Sequence, residues 1–243
     1  VQATEWEGSA ASFLALFNSL EHELRRVVHA TTYLRFYELV DAACERLPSL
    51  EPERAFLRVA GDLRNSIVHW KAFPNEVPAA PSPFLVERLE AVLGFLRKPP
   101  RVLPRFRRRL RVFHGDAPLG SAVEYMVRRD YSQVVVRLDG RLGLLTTEDV
   151  TRWLGESLRS RGRDPLEASL REALGDRAWD GCEFLKGSAL VDEALRIFES
   201  AIRRGKPRVH AILVTTRGRP EGRPLGIITP WDLLGYGLAP PPA

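Results

Sequence analysis

The chain has 243 residues, 44% of them hydrophobic and 28% charged, with a formal net charge of +5. That length holds one large domain or two modest ones, and the composition excludes a disordered or fibrous chain. No apolar run reaches the length of a membrane span, and the first residues lack a basic-then-apolar signal pattern. The two cysteines, Cys44 and Cys182, are far apart and in no metal or redox spacing. A cytoplasmic protein with no membrane partner is therefore expected.

In chain order, residues 11–29 place Phe13, Leu16, Phe17, Leu20, Leu24, Val27 and Val28 at helical spacing. Residues 32–47 repeat the pattern and stop before Pro48. Residues 50–73 carry Pro52 near the first turn, a helix opener, and 81–98 end at Pro99-Pro100. Four amphipathic helices with short connections predict an all-helical bundle over 1–98.

The basic excess is local. Residues 1–96 hold nine Arg/Lys against thirteen Asp/Glu, whereas "RKPPRVLPRFRRRLR" (97–111) holds eight basic residues and no acidic one. Two readings stay open. Residues 99–111 form a solvated basic linker in a chain where only four of the 36 basic residues are Lys. Alternatively Arg105, Arg107, Arg108, Arg109 and Arg111 form a strip for a phosphate backbone, RNA in particular.

The pattern then turns α/β. Residues 116–130 read as a helix, 132–146 as two strands joined by Asp139-Gly140, and 147–160 as a helix. The order recurs as a helix at 188–204, a strand–turn–strand at 210–229 and a helix opening at Pro230. Gly143/Gly226, Thr146/Thr229 and Asp149/Asp232 each keep an offset of 83, which marks an internal duplication. At each Thr a strand ends and a helix begins, so free N–H groups and the hydroxyl favour an anionic oxygen, and the Asp can accept from two ribose hydroxyls. The alternative is that Thr-x-x-Asp only caps a helix.

"GLLTTED" and "GIITPWD" resemble the G-h-h-T-x-x-D end of CBS domains. The resemblance spans roughly 102–238 and implies a tandem pair, 102–160 and 175–238, that takes an adenine nucleotide (AMP, ADP or ATP) as regulatory ligand. It implies Thr146, Asp149, Thr229 and Asp232 as ribose and phosphate residues. It puts adenine near Tyr131, Ser132 and Gln133 in the first copy, and near His210 and Ala211, a looser match, in the second.

Within the bundle, "LRNSIVHW" places Asn65 and His69 four apart on one helix face, with Arg64 on its flank. A fixed cation, a proton carrier near neutral pH and an orienting amide suit metal-independent RNA cleavage. "RNSIVH" also resembles the R-N-x-x-x-H signature of HEPN domains. That resemblance implies a metal-independent endoribonuclease with Arg64, Asn65 and His69 catalytic, no cofactor for catalysis, and a homodimer that faces two such motifs. The whole then reads as an adenine-nucleotide sensor regulating a ribonuclease, with the arginine strip feeding RNA to Arg64 and His69. The rival reading is a non-catalytic nucleotide-binding regulator whose bundle only dimerises or binds a partner. Glu21 is a further candidate in the bundle. His22 and His29, seven apart, are too few for a structural zinc site, and no metal is expected.

Overall fold

The computed structural model describes residues 2–69, 79, 81–158, 164–203, 209–234 and 236, with side chains of the first helix described from Ala10 onward. The chain divides into an N-terminal unit reaching Pro100 and a second unit, Arg101–Leu234.

The N-terminal unit is helical: α1 (Gln2–Val28), α2 (Phe36–Arg46), α3 (Arg54–His69) and α4 (Pro83–Arg97). The apolar stripe read from the sequence is its core, since Phe13, Phe17, Leu20 and Leu24 of α1 are fully buried beside Leu39, Leu57, Leu89 and Leu96. Phe17 and Phe36 rings pack at 4.5 Å. α2 starts four residues later than the sequence periodicity predicts, because Glu38 accepts from the Arg35 N–H at 2.8 Å and fixes the first turn there. Residues Pro48–Glu53 are a 3-10 turn leading into α3, with Pro52 inside it. Residues 70–73 of the helix expected over 50–73 lie outside the described residues.

Arg88 of α4 holds Glu53 in a two-bonded ion pair, at 2.7 and 3.1 Å, with the Glu53 side chain 3% exposed. Its guanidinium also lies 4.7 Å from the Phe56 ring centroid. Charge here is buried only because its partner is fixed beside it.

The second unit contains two copies of one three-stranded sheet. In the first copy β1 (Val112–His114) runs parallel to β2 (Gln133–Leu138), and β2 pairs antiparallel with β3 (Arg141–Thr146). In the second, β4 (Cys182–Lys186), β5 (Ala211–Thr215) and β6 (Pro224–Ile228) repeat this arrangement. A short helix, α5 (Val102–Arg105), precedes β1. Helix α6 (Leu119–Arg129) joins β1 to β2, and α7 (Thr147–Ser157) follows β3. The short α8 (Leu170–Leu174) and a 3-10 turn (Gly175–Trp179) precede β4; α9 (Val191–Arg203) and the one-turn α10 (Pro230–Leu233) complete the second copy. Asp139 (φ 50°) and Gly140 (φ 77°) make the β2–β3 turn with two left-handed residues, as the Asp-Gly pair predicts.

The unbroken apolar run of β2 has a simple cause. Val134, Val136 and Leu138 enter the first copy's own core with Phe113, Leu119 and Met126. Val135 faces the other way, into a cluster shared with Cys182, Ala211 and Leu213 of the second copy. Both faces are covered, so alternation disappears.

Residues 101–111 belong to this unit rather than forming a free connection. Val102 N–H donates to the Ala189 carbonyl at 2.9 Å and Arg108 N–H to Leu225 at 3.2 Å, while Arg107 bridges Gly226. Val102 and Phe106 are buried. The arm before β1 thus lies on the outer strand of the second copy. The counterpart is the turn before β4, which packs on β3 of the first. This explains the paired glycines. A Cβ on Gly226 would overlap the Phe106 carbonyl oxygen, and one on Gly143 the Ala178 carbonyl oxygen. Only glycine lets the two backbones approach.

Candidate functional site

Each Thr-x-x-Asp forms the same local structure. Thr146 donates through Oγ1 to Asp149 Oδ2 at 2.6 Å, and its N–H donates to the same oxygen at 2.9 Å. Thr229 and Asp232 do likewise, at 2.7 and 2.8 Å. The capping geometry is therefore present in both copies. It engages Oδ2 of each carboxylate. In the second copy Asp232 Oδ1 accepts from Arg108 at 2.6 Å. The Arg108 side chain is 54% exposed and that of Asp232 14%.

Two cavities share Ser132, Gln133, Thr229 and Trp231 in their walls. The larger, about 500 Å³, adds Phe198, Ile202, Val209 and His210. The smaller, about 280 Å³, adds Arg108, Arg109, Arg111, Tyr125 and Tyr131. The larger cavity has mainly apolar walls, whereas Arg108, Arg109, Arg111 and Asp130 are among the residues that wall the smaller. Trp231, in the walls of both, is 81% exposed. Arg111 is held in place by stacking, 4.7 Å from the Phe113 centroid and 4.8 Å from that of Tyr125.

The model of the CBS-domain family matches residues 106–156 and 180–239. The second unit is a tandem pair of CBS domains. No curated protein matches the sequence. Among solved structures, a CBS-domain protein, ATU1752, from Agrobacterium tumefaciens is 20% identical, over 55% of this chain and 93% of its own, with a TM-score of 0.39. CBSX2, solved in complex with AMP, is 18% identical over 56% and 94%, with a TM-score of 0.40. A hexameric CBS-CP12 protein from bloom-forming cyanobacteria is 17% identical over 58% and 69%, at 0.41.

The strand registers make the two CBS domains comparable residue by residue. Val136 opposes Gly143 and Val214 opposes Gly226; Val112 pairs with Val135 and Phe184 with Leu213. Phe106 is thereby equivalent to Ala178, in agreement with the two carbonyls that meet Gly226 and Gly143. Stepping forward, Arg108, Arg109 and Arg111 correspond to Asp180, Gly181 and Glu183. The arm serving the Thr229–Asp232 site is cationic, and its counterpart in the other copy is anionic. Ser132 and Gln133, expected to serve the first CBS domain, line the cavities that reach Thr229 instead. His210 is in the larger cavity with them.

Sequence reasoning named Asp232 and Arg108 but not their pairing. They stand 124 residues apart, and only the arm's course over β6 joins them. It missed Trp231 and Phe198 altogether; the single signal available was their position beside or opposite a marked motif. Arg107 is exposed, and Arg105 stacks 5.9 Å from the Phe106 ring.

In the helical unit Arg64 is half-buried, and Asn65 and His69 are exposed on α3. Arg64 donates to Asn65 Oδ1 at 3.2 Å. Next to them Tyr37 donates to Asp62 at 2.6 Å. That bond raises the Tyr37 hydroxyl above its ordinary pKa, and Asn65 partly counters it. Among the described residues no group of His, Cys, Asp and Glu could hold a metal ion, and no helix is long and apolar enough to cross a membrane.

Proposed function

We propose that the CBS pair is a regulatory sensor that binds one adenine nucleotide at the Thr229–Asp232 site of its second domain. The observation that carries this is the cavity at that site, whose walls include Arg108, Arg109 and Arg111 together with Thr229 and Trp231. Asp232 accepts the ribose hydroxyls, the arginines hold the phosphates, and the apolar walls at Phe198, Val209 and Ile202 cover the base. The first domain's site is disfavoured for a polyanion because Asp180 and Glu183 stand where the arginines stand in its twin. Isothermal titration with ATP, ADP and AMP tests this. Asp232→Asn lowers affinity by at least about tenfold, the size of a lost hydrogen bond to a charged group. Asp149→Asn leaves it nearly unchanged. Equal losses in the two variants would overturn the assignment to one site.

What the sensor regulates is read from α3. Arg64 and the exposed Asn65 lie one turn before the exposed His69 on α3, an arrangement that supports the reading of a HEPN-type, metal-independent endoribonuclease that works as a homodimer. Incubating the protein with mixed RNA in EDTA, with and without each nucleotide, tests this; cleavage lost in His69→Ala supports it. A wild type that cuts no RNA, with or without nucleotide, leaves the bundle as a dimerising or partner-binding element. The RNA-backbone role of the arginine strip is tested by replacing Arg105 and Arg107, which are absent from the cavity walls. Unchanged RNA affinity and salt slope assigns the strip's phosphate chemistry to the nucleotide alone.

A further inference from the structure

The assignment of Asp232 to ribose raises a conflict with Arg108. The guanidinium donates to Asp232 Oδ1 at 2.6 Å, and Oδ2 is already engaged by the Thr229 N–H and hydroxyl. Oδ1 is therefore the oxygen a ribose needs, and a ribose diol and the Arg108 side chain compete for it.

We propose that Arg108 acts as a displaceable counter-ion that makes the site depend on the ligand's phosphate. It blocks the ribose acceptor against uncharged nucleosides and gives it up only to a ligand that offers the guanidinium a replacement anion. This rests on the reading of Asp232 as the ribose acceptor.

Three features make Arg108, and neither of its neighbours, the exchanging group. Arg111 is stacked on Phe113 and Tyr125 and is anchored there. Arg109 lines the cavity, but the hydrogen bond to Asp232 comes from Arg108. Arg108 is more than half exposed, and its backbone N–H is separately tied to Leu225, so its side chain can swing while the arm stays in place. The pair is open to water on its Arg108 side, which screens it, so releasing the guanidinium costs little when phosphate takes the place of Asp232. A bidentate guanidinium–phosphate contact is the stronger partner. With adenosine no such partner arrives, and the released guanidinium returns to solvent with its pair lost.

The consequence is that one substitution has opposite effects on two ligands. Titration of the full chain with adenosine, AMP and ATP reads it. Arg108→Ala tightens adenosine binding by up to about fivefold, the upper value of an exposed ion pair, and weakens ATP binding by about tenfold or more, a lost charged hydrogen bond. Arg108→Lys, which keeps a charge but loses the planar fork, weakens ATP less than Ala does. Inorganic tripolyphosphate, which lacks ribose, also binds more weakly to Arg108→Ala. The proposal is overturned if Arg108→Ala weakens adenosine and ATP alike, or leaves ATP unchanged, in a protein whose melting temperature is intact. If Asp232→Asn binds every ligand as the wild type does, the ribose assignment itself falls, and this proposal falls with it. If adenosine and ATP bind normally and only the sign of the Arg108→Ala effect is wrong, the ribose assignment stands and the counter-ion role alone is rejected.

Discussion

At Gly143 and Gly226 a single missing Cβ decides whether two backbones can meet. The obstacle at each is a carbonyl oxygen of another segment, which cannot rotate away as a side chain would. Gly226→Ala should therefore destabilise the second unit by about 1–3 kcal/mol, the usual range for overpacking. Gly155 of α7 has nothing within 4 Å of the same position. Gly155→Ala should stabilise by about 0.5–1 kcal/mol through helix propensity. Thermal unfolding of both variants reads the contrast; equal shifts would remove the close-approach explanation. The cysteines give a second test at this scale. Burial pushes the Cys182 thiol up to about 12 and the Cys44 thiol up to about 11. Neither should react with a disulfide reagent at about pH 8 in the folded protein, whereas denaturation should release both.

Among elements, α4 and the turn ahead of α3 are joined by one buried ion pair. Arg88→Ala deprives the Glu53 carboxylate, 3% exposed in the parent, of its guanidinium, which should cost about 3–5 kcal/mol in the helical unit. Adding Glu53→Gln should recover part of the loss, measured by urea unfolding; no recovery would mean that Arg88 acts through its packing on Phe56. The exposed face of the same region is pH-sensitive in a defined direction. The Arg54 hydrogen bond holds the Glu51 carboxyl below its usual range. At Asp41 burial pushes upward, and Arg58 and Arg54 outweigh it. Folded values below unfolded ones mean that this stabilisation is complete above about pH 4 and is lost as pH falls through the folded values. Glu51→Gln should flatten that acid limb, by less than about 1 kcal/mol because the pair is exposed. A mutant with the same acid limb as the parent would show the pair to be inert.

Over the whole molecule, the sequence made some features plain and hid others for physical reasons. The helices of the first unit were legible because one face of each is buried, which gives a 3.6 period. The β2–β3 hairpin was legible through Asp139-Gly140, and the duplication through three fixed pairs. The strand β1, three residues long, has too few positions to show any period. The basic run of 99–111 reads as an open linker or a strip because its charges dominate the pattern. Yet Val102, Phe106 and Leu110, placed among them, fasten it to the sheet. The Thr-x-x-Asp caps were legible since each closes within four residues. The Arg108–Asp232 pairing was not, because no local pattern links an arm to a motif so distant in the chain. Binding one nucleotide at a hundred times its Kd should stabilise the second unit by about 2.7 kcal/mol. Hydrogen exchange would show this as protection concentrated at β6, the arm and the loop before β2. Protection centred on Thr146 would favour the other domain.

Each CBS domain lends the other a stretch of backbone. The stretch ahead of β1 completes the second sheet's edge, and the turn ahead of β4 covers the first. The repeat boundary in the gene is therefore not a boundary in the folded object. A fragment cut at the apparent joint would display a bare strand on each half and lose the cationic arm from the half that holds Asp232. Such halves should be insoluble alone and regain a folded core only when mixed.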